Sequence, residues 1–430
     1  GQFKSRPQNV DYYFRPQVSW SDITSGDLSF RYFEKGFCFD ASANSAFTDY
    51  KTEMFLLGYL NTKIVNGWSK ILNPTIHFKT GDFQKLPGKF ENENQVIEYA
   101  EKCVKLCQED WDSFELSWDF EIHPLIRYNN LSDAYNEWKN ECEVRFKQLK
   151  MNEEELNRIF IEIYGLQDEL LPKVDNKVIS VRTADLQRDI KSLLSYAVGC
   201  MFGRYSLDVN GLAYAGGEWN GSKYSTFIPD KDNCIPITDE PYFEDDIVGL
   251  FCAWLKKVYG EDTLEENLDF IAKVLENKGS TSREIIRNYF LNDFIKDHIK
   301  TYQKRPIYWL FDSGKRNGFK ALVYMHRWDA DTVGNLRVEY LHKTQRIYER
   351  EIQRMQETMD NSHDSREINK ASKRKEKLQK QLKETKDYDT MLAHIALSRI
   401  NIDLDDGVKI NYEKVQTGRD GKKMQILARI

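Results

Sequence analysis

The chain has 430 residues, 40% hydrophobic and 30% charged, with 13% aromatics and a formal net charge of −6. This is a globular composition, not a disordered one, and the length allows two or three hydrophobic cores. No window approaches 18 uncharged apolar residues and the N-terminus, GQFKSRPQNVDYYFRP, has no apolar core, so neither a transmembrane helix nor a signal peptide is expected.

The sequence opens without Met, in polar Pro-containing sequence, and is expected to be a piece of a longer chain. Its seven cysteines include no C-x-x-C pair, and several sit in apolar periodic stretches. That argues for a reducing, cytoplasmic compartment over a disulfide framework. Cys103 and Cys107 are one helical turn apart but lack the His or Cys pair that a tetrahedral zinc site needs.

In chain order, Leu28 to Phe33 and Gly36 to Phe39 are expected as short aromatic strands around Glu34-Lys35. TEMFLLGYLNTKI, Thr52 to Ile64, predicts an apolar helix, Ile76 to Phe78 a short strand, and Gly81-Asp82 a turn. Trp20 and Trp68 are read as core residues. From about Asn94 to Leu171 the apolar residues recur at helical spacing, with many exposed charges.

Asp185 to Arg204 predicts a helix in which Gly199 and Gly203 allow close approach of a neighbour. Gly211 to Gly221 and Pro229 to Pro241 read as loops. Three helices follow, at Phe243 to Tyr259, Leu264 to Glu276 and Ser282 to Tyr302, the last with Ser282 at its start. Glu244-Asp245-Asp246 reads as helix-start acids, since negative charge suits a helix N-terminus.

YQKRPIYWLFDSGKRNGFKALVYMHR, Tyr302 to Arg327, predicts a β-hairpin with DSGKRNG as its turn. Lys304, Arg305, Lys315, Arg316, Lys320, His326 and Arg327 crowd its ends. They either face an anionic partner or form the solvated rim of a core hairpin, and local pattern alone favours the rim. Two amphipathic stripes then flank a polar break at Asp360 to Arg366, predicting an antiparallel helical hairpin. Lys370 to Lys386 carries eight Lys/Arg against two Glu, a solvated face or, as the minor reading, a phosphate-tracking one. Val408 to Ile430 is expected as two strands around Gly418 to Gly421.

The expected fold class is α+β. It comprises a mixed α/β segment over 1–90, a helical spacer over 91–180, an α+β domain with the basic hairpin over 181–330, and a long helical hairpin with terminal strands over 331–430. No phosphate-loop, H-E-x-x-H or G-x-S-x-G signature occurs, and the seven His show no ligand pairing. The [N/D/S]-P-P-[Y/F] clamp of adenine amino-methyltransferases is absent too, since no Pro-Pro occurs in these residues.

Four segments carry a family resemblance: Val18 to Asp40, Phe55 to Pro87, Leu193 to Asp208 and Tyr289 to Arg327, supported by LDDGVKINYEKVQ from Leu404. Together they resemble the C-terminal half of BREX-type phage-exclusion adenine-specific DNA methyltransferases (PglX-like). Fused methyltransferase–endonuclease restriction enzymes are more distantly similar. The resemblance implies that a preceding domain of the parent protein binds S-adenosylmethionine and transfers the methyl group, with no cofactor or metal held by these residues. It implies double-stranded DNA as partner, with other BREX proteins and phage-encoded inhibitors as further ones.

It also implies that Val18 to Pro87 belongs to target recognition. Arg and Lys pair with guanine, Asn with adenine, and Ser and Thr with either. The candidates for base or phosphate contact are therefore Ser21, Thr24, Arg31, Lys35, Asn73, Thr75, His77 and Lys79. Lys304, Arg305, Lys315, Arg316 and Arg327 are phosphate candidates. A different reading is a protein-interaction module that docks other defence components through its helices, with little DNA affinity; the acidic net charge supports it.

Overall fold

A computed structural model describes residues 8–430, which form two compact units. Unit 1 holds the residues up to Asp112 and Lys139–Ala184; unit 2 holds Ser113–Trp138 and Asp185–Ile430. The class is α+β, and no helix among the described residues is long and apolar enough to cross a membrane.

Unit 1 is built on a three-stranded antiparallel sheet in the order β2-β1-β3, with β1 (Gln17–Ser21), β2 (Phe30–Phe33) and β3 (Ala43–Ala46). Trp20 pairs with Phe30 across β1 and β2, so alternation turns both rings to one face. There they meet Phe78 and Phe83. Helices α1 (Tyr50–Leu60), α2 (Lys63–Leu72), α3 (Thr80–Phe83), α4 (Glu93–Asp112) and most of α5 (Leu131–Tyr164) supply the rest of the core, including Met54, Leu60, Val96 and Phe160. Trp20 is buried and Trp68 packs half-buried against the same core, as expected of both.

Several boundaries differ from the expectation. The helix expected over Thr52 to Ile64 breaks at Asn61-Thr62. The Asn61 amide is engaged with both backbone groups of Phe30, at 3.0 and 3.1 Å, and a distant strand thus dictates the break. Gly36 to Phe39 is not a strand, and the Phe37 carbonyl instead accepts from the Phe14 N–H. The strand expected at Ile76 to Phe78 reduces to a single bridge, Ile23 with His77, and the Gly81-Asp82 turn lies inside α3.

Unit 2 centres on α6 (Leu186–Phe202), buried on nearly every side, with Asp185 accepting from the Arg188 N–H as its cap. It ends at Gly203, whose φ of 77° is the left-handed conformation that favours glycine. The expected close approaches at both glycines occur, made by aromatic rings. A Cβ on Gly199 would fall 2.4 Å from Tyr205, and one on Gly203 would fall 2.4 Å from Trp219.

A second antiparallel sheet lies in the order β4-β6-β5, with β4 (Ile235–Pro236), β5 (Tyr308–Asp312) and β6 (Lys320–Tyr324). The predicted hairpin is β5–β6. β4 falls in a stretch expected to be loop. Helices α7 (Ile247–Tyr259), α8 (Leu264–Leu275), α9 (Ser282–Asn292) and α10 (Phe294–Thr301) precede the hairpin. The single helix expected over Ser282 to Tyr302 is thus two, broken at Asp293, and its cap is Thr281 rather than Ser282.

After the hairpin, α11 (Thr332–Asn335) runs through a π-helical turn (Leu336–Leu341) into α12 (His342–Asn361). The chain reverses at Ser362 to Asp364 into α13 (Ser365–Ser398). The predicted antiparallel hairpin is realised: Arg337 pairs with Asp389, Gln345 donates to the Thr385 carbonyl, and Lys386 reaches Glu349. The C-terminal expectation fails in its first half. Residues read as a strand form α14 (Gly407–Lys414), with Asn411 and Tyr412 buried. The last residues are extended: the Asp312 N–H donates to Ile426 and the Ala428 N–H to Leu310.

Candidate nucleic-acid interface

In unit 1, six of the eight candidates come together where the end of β1 runs beside residues 76–78. Thr24 N–H donates to the Ile76 carbonyl (2.9 Å) and Phe78 N–H to the Asp22 carbonyl (2.8 Å). This places Ser21, Thr24, Asn73, Thr75, His77 and Lys79 around one loop. Ser21, Thr75, His77 and Lys79 are exposed. The His77 ring lies 3.1 Å from Asp22.

Asn73 has a different employment. Its amide nitrogen donates to the His77 carbonyl and to Asp82, both at 2.8 Å, while its oxygen accepts from the N–H and hydroxyl of Thr75. Every hydrogen-bonding position of that amide is in use, so Asn73 shapes the loop that carries Thr75 and His77. The bond from Asn73 is also the main reason the Asp82 carboxyl sits below its ordinary pKa.

Arg31 and Lys35 lie apart from this loop. Arg31 is exposed on β2 and donates to the Phe30 carbonyl at 3.0 Å. Its charge reaches Glu153, whose carboxyl burial raises to about 7 against the opposing pull of Arg31. Lys35 is exposed on the turn after β2.

In unit 2 the hairpin is a core element, and its cations divide into two kinds. Both strands are buried almost throughout. Lys320 is inside with them, donating to the Leu291 carbonyl at 2.8 Å, and burial lowers its pKa. Arg327 donates to the carbonyls of Phe202 (3.3 Å), Asp230 (2.8 Å) and Lys231 (3.1 Å). Its guanidinium is thereby committed to the fold. His326 is half-buried and burial lowers it to about 4.

Lys304, Arg305, Lys315 and Arg316 are exposed. They do not form one patch. Lys304 and Arg305 precede β5 at the open end of the hairpin; Lys315 and Arg316 occupy its tip, about five residues of strand away, or ~17 Å. At the tip, Ser313 donates its hydroxyl to Glu384 of α13 at 2.8 Å.

The acids around Glu244 to Asp246 also divide. Asp246 caps α7, accepting from Val248 and Gly249, and holds Arg287 through two contacts of 2.5 and 2.7 Å. Asp245 instead joins Asp230 and Asp232, with ligand oxygens within 4.8 Å of one another. Tyr340 donates into this group, lying 2.6 Å from Asp245 and 2.9 Å from Asp232. Burial first, then the Asp232 charge, raises Asp230 to about 7. Nothing local in the sequence marks this gathering, since its members come from a loop, a helix start and a π-helical turn.

The fold and these surfaces define a two-unit α+β chain with a cation-tipped hairpin and an exposed polar loop beside β1. No family model matches the chain. It is 45% identical over 427 residues to the adenine-specific methyltransferase PglX of Lacticaseibacillus casei (strain Zhang), covering 97% of this chain and 36% of that protein. It is 35% identical over 443 residues to the adenine-specific methyltransferase BrxX of Escherichia coli O9:H4 (strain HS), covering 96% of this chain and 36% of that protein. The PglX-like resemblance therefore holds along nearly the whole chain, which spans about a third of the length of these curated relatives.

Proposed function

We propose that this chain is the DNA target-recognition and scaffold region of a site-specific N6-adenine DNA methyltransferase of BREX-type phage defence. S-adenosylmethionine binding and methyl transfer then belong to other parts of the parent protein. The observation that carries this reading is 45% identity to an adenine-specific methyltransferase over 97% of the chain.

In this reading the unit 1 loop faces base edges and phosphates. Ser21, Thr24 and Thr75 offer hydroxyls that donate or accept; His77 and Lys79 offer donors. Asn73 and Asp82 hold the loop in shape, and Lys304, Arg305, Lys315 and Arg316 meet phosphates, which set register without selecting sequence. The test is selection of duplexes from a randomised pool by the purified chain, followed by the same selection with Thr75→Ala, His77→Ala and Lys79→Ala. An enriched motif that relaxes at one position in a variant supports the reading. A pool that emerges unenriched removes sequence recognition from this chain.

A protein-docking role for the same face is the second reading. Ile23, Ile71 and Ile76 flank the loop with 57%, 79% and 56% of their surface exposed. An unenriched pool together with a stable complex with a partner protein would favour it.

A further inference from the structure

The hairpin tip lies along α13 and is fastened to it. Glu384 accepts from the N–H groups of Arg316 (2.9 Å) and Gly318 (3.0 Å) as well as from Ser313, and Gln381 donates to the carbonyls of Arg316 (3.2 Å) and Asn317 (3.1 Å). This sets Lys315 and Arg316 beside two adjoining hollows of ≈ 400 and ≈ 320 Å³ that α13 helps to wall. Six cations line them: Lys315, Arg316, Lys373, Lys377, Lys380 and Lys383. Three carboxylates do so too, Glu376, Glu384 and Asp387. Glu384 is occupied in holding the tip, Lys380 pairs with Glu376, and Lys377 reaches Asp239. Among the described residues, Lys315, Arg316, Lys373 and Lys383 have no ion-pair partner.

Lys373, Lys377 and Lys380 recur at helical spacing on one face, and Lys373 to Lys383 spans about 15 Å along the helix. A duplex strand advances about 3.4 Å along the axis per phosphate, so that row faces roughly four phosphates. A single phosphate or nucleotide would engage only one part of it. The phosphate-tracking reading of the Lys370 to Lys386 run thus gains a second wall, Lys315 and Arg316, from a segment more than fifty residues upstream in sequence.

We infer that the groove between the hairpin tip and α13 grips the sugar–phosphate backbone of duplex DNA without reading its sequence. The inference rests on the DNA-recognition reading above and adds the lysines of α13 to it. The row supplies register-setting charge, while selection of sequence stays with unit 1.

The test uses the full chain and a random-sequence duplex, with affinity followed by fluorescence anisotropy across a salt series. The variant is Lys373→Gln/Lys380→Gln/Lys383→Gln, all exposed positions, with the corresponding triple Lys→Arg change as control. Each lost phosphate contact reduces the slope of log affinity against log salt by about 0.9, so the triple Gln variant should lose up to ~2.7 of slope and at least tenfold in affinity at low salt. The Arg variant should keep both. An unchanged slope in the Gln variant, or a wild-type chain without salt-sensitive affinity for the duplex, overturns the inference. Sequence preference that survives with the slope unchanged would leave target recognition standing and remove only the groove. Loss of the slope without any sequence preference in the wild type would do the reverse.

Discussion

The guanidinium carbon of Arg327 lies 4.7 Å from the centroid of the Trp219 ring, while its nitrogens donate to three backbone carbonyls. The planar fork both stacks and spans those acceptors, and an ammonium can do neither in the same place. Arg327→Lys should therefore cost about 2–3 kcal/mol of stability, by analogy with other hydrogen bonds to charged groups. Urea denaturation measures this. Duplex affinity per folded molecule should stay constant; a fall in affinity at unchanged stability would return Arg327 to the DNA-facing surface.

His298 governs a response to acid. Its Nε2 lies 3.1 Å from the N–H groups of both Ile307 and Tyr308, at the start of β5, and can accept from them only as a neutral imidazole. Burial lowers its pKa to about 3, and that of His123 to about 3. Unfolded histidines take up protons as the pH falls through about 6.5, while these do not. Their contribution is thus present above pH 6.5 and lost as pH falls toward 3. Unfolding free energy measured from pH 7 to pH 4 should decline, and His298→Gln should decline less steeply than the wild type. Parallel curves would remove His298 as a cause.

Asp230 acts with the opposite sign. Its carboxyl is raised to about 7, so the folded protein holds a proton that the unfolded chain releases near the ordinary carboxylate pKa. The favourable contribution is complete below about pH 4 and is lost as pH rises through 7. Asp230→Asn should equal or trail the wild type in melting temperature at pH 4 and gain on it progressively toward pH 8. A constant difference across that range would show that Asp230 does not titrate there.

Gly318 is a packing requirement of the hairpin tip. A Cβ at this position would meet the Gln381 carbonyl oxygen at 2.8 Å, and that oxygen belongs to a rigid helix. Gly318→Ala should lift the tip from α13, and Glu384→Ala should strip the acceptor from two N–H groups and the Ser313 hydroxyl. Each is expected to cost roughly 1–3 kcal/mol. Amide hydrogen exchange over 313–319 should quicken in both; unchanged protection would show that the tip holds its place without them.

The hairpin and the helical pair were legible because their patterns are local: alternating apolar residues around a turn-rich segment, and stripes around a polar break. What escaped was set at a distance. β4 has only two residues, one of them Pro236, and becomes a strand by pairing with Leu322 and Ala321 of β6. The VKINY run has β-forming residues, yet Asn411 uses its amide to bind the Asp403 and Gly407 carbonyls and helix results. Of the candidate site, residue types were readable but employment was not. Arg316 and Arg327 are both cations at the ends of the same hairpin, and only the fold turns Arg327 to backbone carbonyls and leaves Arg316 exposed.

The chain's last extended residues have a protective consequence. By bonding to Leu310 and Asp312 they cover the flank of β5 that its hairpin partner leaves open. Uncovered, that row of N–H and C=O groups would be a template for a strand from another molecule. Truncation before Ile426 should then expose that row and raise the chain's tendency to self-associate and aggregate.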